Sequence, residues 1–223
     1  MRKTVLITGT SKGIGFALTE VFLKNNYKVI GTCLSSEISK IADTGFEVHT
    51  LDLSNLNNIK EFEKDFQDKG VGIDILINNA AVGPDLDFTL PEEMSFKQTL
   101  DVNVTGTIFF TEVMLSHMKN GGKIINISSK MGSIELCELT DSVAYRMSKT
   151  ALNMYTRILT NRLIGKLKIA AVHPGWVRTT LTKRNMHGRL SPQESANKLF
   201  DFILSDFETG IFWNVETQSK CKW

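Results

Sequence analysis

Strand-length apolar runs alternate along almost the whole chain with longer stretches in which apolar residues return at helical spacing. The runs lie at Val5-Leu6-Ile7, Tyr27 to Thr32, Phe46 to Leu51, Ile73 to Ile77, Lys123 to Ile127, Lys168 to Val172 and Ile211 to Trp213. Between them come Gly15 to Asn25, Asn57 to Gln67, Glu92 to Met118, Tyr145 to Leu163 and Pro192 to Leu204. A strand that is apolar throughout, rather than at every second residue, is covered on both faces. The alternation therefore predicts an α/β fold: a doubly wound parallel sheet of about seven strands, with right-handed crossovers and helices on both faces. At 223 residues there is room for one such domain over residues 1–223 and not for a second of full size, and no linker or repeat interrupts it.

The charge is close to balanced, with 26 Lys and Arg against 24 Asp and Glu. Nothing in that balance argues for nucleic acid or an anionic membrane surface, so a small-molecule partner fits better. Cys33, Cys137 and Cys221 are odd in number, far apart and without Cys-x-x-Cys spacing. That argues against a metal site or redox pair and for a reducing compartment. Met1-Arg2-Lys3 leads straight into Thr4-Val5-Leu6-Ile7, and no later apolar run approaches membrane-spanning length. The expectation is a cytoplasmic protein with no membrane contact.

Between the first run and the first amphipathic stretch lies Thr8-Gly9-Thr10-Ser11-Lys12-Gly13-Ile14-Gly15. A glycine turn there lets the backbone approach a pyrophosphate, and the helix start supplies N–H groups and the positive end of its dipole. Glycines at a helix start also serve simply to pack it on a strand, so the turn alone does not decide. The second strand runs out through Val29-Ile30-Gly31-Thr32-Cys33-Leu34-Ser35-Ser36 without an acid. An Asp or Glu there would bind the ribose hydroxyls of NAD and repel a 2′-phosphate, whereas Ser35 and the nearby Lys12 tolerate or attract one. The preferred cofactor is NADP(H), with NAD(H) possible.

Tyr145 and Lys149 stand four positions apart in a helical stretch, hence on one face. An ammonium near a phenol favours the phenolate, which would draw Tyr145 down from about 10 and make it a proton donor to a carbonyl oxygen. An ordinary helix carries the same pair without any chemistry. The segment from Gly175 to Leu190, the least regular in the chain, follows the sixth strand, where ligands of open α/β sheets bind; it is either a substrate lid over about residues 175–190 or a solvated loop.

The turn, Asn78-Asn79-Ala80-Ala81, Asn103-Val104-Thr105-Gly106, Ile127-Ser128-Ser129, Tyr145-x-x-x-Lys149 and Pro174-Gly175 occur in one order, and in that order the chain resembles the short-chain dehydrogenase/reductase family from end to end. His173-Pro174-Gly175-Trp176-Val177-Arg178-Thr179 and Trp223 are similar to the sniffer-like carbonyl reductases and C-factor-like proteins within it. The resemblance implies a Rossmann-type NAD(P)-binding domain and an oxidoreductase acting on a carbonyl or secondary alcohol. It makes Tyr145 the general acid or base, and Lys149 the group that tunes Tyr145 and holds the nicotinamide ribose. Ser129 would polarise the substrate carbonyl, and Asn103 would hold a water linking Lys149 to solvent. It also implies cofactor contacts from Gly9, Ser11, Lys12, Gly13, Ile14, Gly15, Ser35, Asp52, Leu53, Asn79, Ala80, Ala81, Pro174, Gly175, Val177 and Thr179, besides Tyr145 and Lys149.

Two departures stand out. Ala81 replaces the glycine that usually ends the Asn-Asn-Ala-Gly motif, adding a methyl beside the cofactor. The stretch from Ser129 to Tyr145 exceeds the family's commonest spacing, which makes Ser128 and Ser133 rivals of Ser129 and leaves Leu136 to Ser142 to bulge over the site. His173 reads as a satisfied strand-end histidine. Phe109, Phe110, Met114, Met154 and Tyr155 extend the apolar surface of two long helices beyond one face, and the resemblance makes a homodimer the expected assembly. The alternative from another class is a protein that binds the dinucleotide for signalling or redox sensing and turns over little. A sugar-nucleotide epimerase would need a larger carboxyl-terminal region, and a methyltransferase would not use the Tyr, Lys and Ser set.

Overall fold

A computed structural model describes residues 2–34, 41 and 43–223. Eight strands form one sheet: β1 (Thr4–Thr8), β2 (Lys28–Cys33), β3 (Phe46–Thr50), β4 (Ile73–Asn78), β5 (Met118–Ile127), β6 (Lys168–His173), β7 (Ile211–Asn214) and β8 (Ser219–Lys220). Their order is β3-β2-β1-β4-β5-β6-β7-β8. The first seven are parallel and β8 returns antiparallel to β7, one strand beyond the expected seven. The order reverses between β1 and β4, which opens a crevice at their carboxyl ends, the Rossmann-type arrangement.

The helices are α1 (Gly13–Lys24), α2 (Leu56–Asp68), α3 (Glu93–Leu100), α4 (Thr107–Met114), α5 (Val143–Arg162) and α6 (Pro192–Leu204). Val5 and Ile7 of β1 join a core with Leu18 and Phe22 of α1 and Leu199 and Ile203 of α6. Leu6, pointing the other way, joins Ile59 and Phe62 of α2, Phe110 of α4 and Leu152 of α5. The continuous apolar strands are thus divided between two covered faces by the two-residue period of the pleat. Caps set several helix starts. Ser191 and Glu194 close a capping box around α6, with Pro192 at its first turn, and Asn55 accepts two N–H groups at the start of α2.

The stretch from Glu92 to Met118, expected as one helix, is broken. A π-helical turn, Asp101–Gly106, separates α3 from α4, a 3₁₀ turn follows at Leu115–His117, and β5 already begins at Met118. Gly106 lies against β3's exit: a Cβ there would stand 2.0 Å from the Leu53 carbonyl oxygen. The wider turn lets the helix keep that contact while Thr107 N–H and Oγ1 both reach Val102 O. Of the five apolar helix residues expected to extend beyond one face, Phe110, Met114 and Tyr155 are buried, whereas Phe109 and Met154 are exposed. No helix among the described residues is long and apolar enough to cross a membrane.

Candidate active site

α1 starts directly after Lys12, whose extended backbone precedes the helix and whose side chain makes no cap, and no acid lies in its first turn. The helix start therefore offers uncapped N–H groups and a positive dipole end at the crevice. Gly15 is required by close approach, since a Cβ would stand 2.1 Å from Gly9 O. Asn79 clamps the same turn, its Nδ2 donating to Thr8 O (2.8 Å) and Gly9 O (3.1 Å). Thr8 Oγ1 accepts in return from the N–H groups of Asn79 and Ala80. The Thr179 methyl lies 3.5 Å from where a Gly13 Cβ would be, which brings the root of the 175–190 segment over the turn. Its hydroxyl accepts from Asn185 Nδ2 at 3.0 Å.

Around this turn Ser11 and Lys12 are exposed, Ile14 and Ala81 half-buried, and Leu53, Pro174, Gly175 and Val177 buried. Asp52 Oδ1 accepts from Ser54 N and Oγ. Ser35 lies outside the described residues. Uncapped N–H groups, a tight glycine turn and the absence of an acid at Cys33 and Leu34 fit the pyrophosphate and ribose of a dinucleotide.

Tyr145 and Lys149 occupy one face of α5, 8% and 3% exposed. Lys149 Nζ donates to Ile127 O at 2.9 Å and stands 5.6 Å from the centroid of the Tyr145 ring. The Tyr145 hydroxyl has no protein partner among the described residues. Burial pulls the Lys149 ammonium down to about 8. Burial, and after it the charge of Asp85, pushes the Tyr145 phenol up rather than down. This corrects the expectation from spacing alone: removing water from a phenolate costs more here than Lys149 returns.

Ser129 is carried to α5 by its neighbours. Ser128 Oγ donates to Asn153 Oδ1 at 2.6 Å. Gly132 O accepts from Asn153 Nδ2 (3.1 Å) and Thr150 Oγ1 (3.0 Å), which lays the 3₁₀ turn Lys130–Gly132 flat on the helix. Ser129 Oγ accepts from Met131 N at 3.1 Å and keeps its own proton to donate. Its rivals have spent theirs, Ser128 on Asn153 and Ser133 on Trp223 O. Asn103 sits in the π turn as a brace: Oδ1 accepts from Val82 N (2.9 Å), and Nδ2 donates to Val82 O (2.8 Å) and Ser148 Oγ (3.2 Å).

Asp85 was not expected from the sequence. It is 2% exposed, and its Oδ2 accepts the backbone N–H of Tyr145 at 3.1 Å. The only signal was an acid shortly after a buried strand, in Gly83-Pro84-Asp85. His173 departs from its expectation: it is buried, but Nδ1 has no partner among the described residues, and burial holds its imidazole down at about 4, hence neutral.

The 175–190 segment is more ordered than its composition suggested. Val177 and Leu190 form a parallel bridge at its root, and Lys183–His187 make a 3₁₀ turn. It is tied across the crevice by Thr182 Oγ1 to Asp87 Oδ2 (2.9 Å) and by Arg184, whose guanidinium meets Asp87 (2.9 Å) and Asp141 (3.4 Å). Arg184 thus joins this segment to the stretch after β4 and to the stretch before α5.

Comparison with known proteins agrees with this architecture. The chain is 32% identical over 208 residues to retinol dehydrogenase 13 of Mus musculus, covering 83% of this chain and 62% of that protein, so it spans less than two thirds of that relative's length. Among solved structures it is similar to the carbonyl reductase Sniffer of D. melanogaster (TM-score 0.88, 25% identity, all of both chains). It is also similar to the NADPH-bound carbonyl reductase of chicken fatty liver (TM-score 0.87, 26% identity, all of both chains). The short chain dehydrogenase profile matches residues 3–189. The glycine turn, the buried Tyr145 and Lys149 and the serine laid against α5 all fall within that match, and the chain belongs to the short-chain dehydrogenase family.

Proposed function

We propose that this protein is an oxidoreductase that moves a hydride between NADP(H) and a carbonyl or secondary alcohol, with residues 1–223 acting as one NAD(P)-binding domain. The observation that carries the reading is the grouping at α5: a buried phenol whose hydroxyl has no partner among the described residues, a buried amine one turn on, and Ser129 between two neighbours, Ser128 and Gly132, that are bonded to the same helix. The dinucleotide, when bound, supplies the hydride. In reduction Tyr145 Oη gives its proton to the substrate oxygen, and Ser129 donates a hydrogen bond to that oxygen and polarises it. A phenol held above its ordinary value is protonated across physiological pH, which suits the acid's role. Lys149 holds the nicotinamide ribose, and the start of α1 takes the pyrophosphate.

NADP(H) is favoured by Lys12 beside the turn and by the NADPH carried by the chicken carbonyl reductase. The chain's own exposed Phe109, Met147, Met154 and Ile158 support a homodimer through α4 and α5; a light-scattering mass near that of one chain would remove that part. The reaction is tested by initial rates with NADPH and NADH against a panel of reactive carbonyls, wild type beside Tyr145→Phe. Turnover that prefers NADPH and falls by about 10²-fold or more in the variant supports the reading. Undiminished turnover in Tyr145→Phe overturns it.

A further inference from the structure

α5 lacks a cap of its own. Its N-cap residue, Ser142, is in the left-handed region (φ 57°), and its side chain makes no capping bond; instead Ser142 Oγ accepts from Asp87 N at 3.3 Å. Tyr145 is the third residue of the helix, the position whose N–H a capping side chain normally satisfies. Asp85 fills that place from a different segment, far back in the sequence. Its Oδ2 takes the Tyr145 N–H at 3.1 Å, while Oδ1 accepts a long bond from the buried Thr99 hydroxyl of α3 at 3.5 Å. A capping bond from so remote a residue couples the placement of Tyr145 to the loop after β4. That loop also runs close beside the ring, since a Cβ added at Gly83 would stand 3.1 Å from Tyr145 Cδ2.

We propose that Asp85 is a positioning residue for Tyr145: its carboxylate caps α5 at the Tyr145 N–H and so fixes where the phenol stands. This rests on the reading of Tyr145 as the acid. The charged groups on the elements around Tyr145 are few. Lys149 lies on α5 itself, Lys130 on the turn after β5, and Lys97 on α3 is paired with Asp101 at 2.6 Å. Arg146 is turned away to Asp141 at 2.8 Å, and His173 is neutral. Asp85 is the acid bonded to residue 145, and the upward push on the phenol has its charge as second cause after burial.

The test compares Asp85→Asn, which keeps an acceptor and removes the charge, with Asp85→Ala, which removes both. The chain has three tyrosines, Tyr27, Tyr145 and Tyr155, so ¹⁵N-tyrosine labelling reports the Tyr145 amide directly, with Tyr145→Phe as the assignment. In ligand-free protein the amide is expected to exchange about tenfold faster or more in Asp85→Ala, and near the wild-type rate in Asp85→Asn. In NADPH-dependent reduction, Asp85→Ala is expected to lower kcat about tenfold or more with the KM for NADPH little changed, and Asp85→Asn to keep kcat near the wild-type value. Wild-type amide protection in Asp85→Ala would overturn the cap, and a fast-exchanging amide with an unchanged kcat in Asp85→Ala would overturn the part the cap plays in placing the phenol. Should the Ala variant fail to fold, a fast-exchanging amide in the folded Asn variant would equally overturn the cap. The exchange arm needs no turnover, so it decides even where Tyr145→Phe overturns the proposed reaction.

Discussion

Replacing Lys149 by Met is expected to stabilise the ligand-free protein at neutral pH while abolishing turnover. Lys149 is 3% exposed, and burial holds its ammonium at about 8 against an ordinary 10.5. The folded chain therefore binds this proton more weakly than the unfolded chain by 10.5 − 8 = 2.5 pH units. At about 1.36 kcal/mol per unit, the charge costs the fold about 3 kcal/mol below pH 8, where both states carry it. Between pH 8 and 10.5 only the unfolded chain holds the proton, so stability rises with pH by about 1.4 kcal/mol per unit until the cost is gone. Methionine keeps the apolar stem and has no such cost, but it gives up the 2.9 Å bond to Ile127 O, a loss of about 1–2 kcal/mol at every pH. The variant should be more stable than wild type by about 1–2 kcal/mol at neutral pH and less stable by a similar amount once the amine is neutral in both states. Urea unfolding of both proteins across this range measures the difference. A gap that does not change with pH would refute the reasoning, because only the buried amine's titration makes it pH-dependent.

Three further outcomes follow from the same geometry. Gly15→Ala drives a methyl to 2.1 Å from Gly9 O; it should cost on the order of 1–3 kcal/mol and weaken NADPH binding, and an unchanged melting temperature and fluorescence titration would contradict the close approach. Ser129→Ala should lower kcat about tenfold or more with little change in stability, whereas Ser128→Ala leaves Asn153 Oδ1 without its donor and should cost about 1–3 kcal/mol in denaturant unfolding; equal stabilities would contradict that division. Arg184→Ala cuts the tie to Asp87 and Asp141, and because the guanidinium is exposed the stability change should stay below about 1 kcal/mol, while KM rises and proteolysis within residues 179–190 accelerates; an unchanged KM and cleavage rate would show that the tie does not hold the segment.

Much of the fold was legible because burial on two faces writes itself as unbroken apolar runs. All seven runs became strands, the glycine turn opens α1 at Gly13 and Gly15, and Tyr145 and Lys149 share α5. The break at Asp101–Gly106 was not legible, because the bonds that produce it reach Val82 and the contact at Gly106 reaches Leu53, both remote in sequence. The choice among Ser128, Ser129 and Ser133 was also tertiary. All three are hydroxyls after a strand, and only their partners on α5 and at Trp223 separate them.

The sequence by itself determined the α/β alternation, the glycine turn at the first helix, and the helical spacing that sets Tyr145 and Lys149 on one face. These depend on local geometry, on periods of two and 3.6 residues, and on glycine's freedom from a side chain. Tertiary structure decided the electrostatics. Spacing predicts that an ammonium lowers a nearby phenol, but the energy of each charge is set by how much water the fold removes and by which remote groups it brings near. Burial raises Tyr145, burial lowers Lys149, and Asp85, sixty residues from Tyr145, supplies both the cap and the opposing charge.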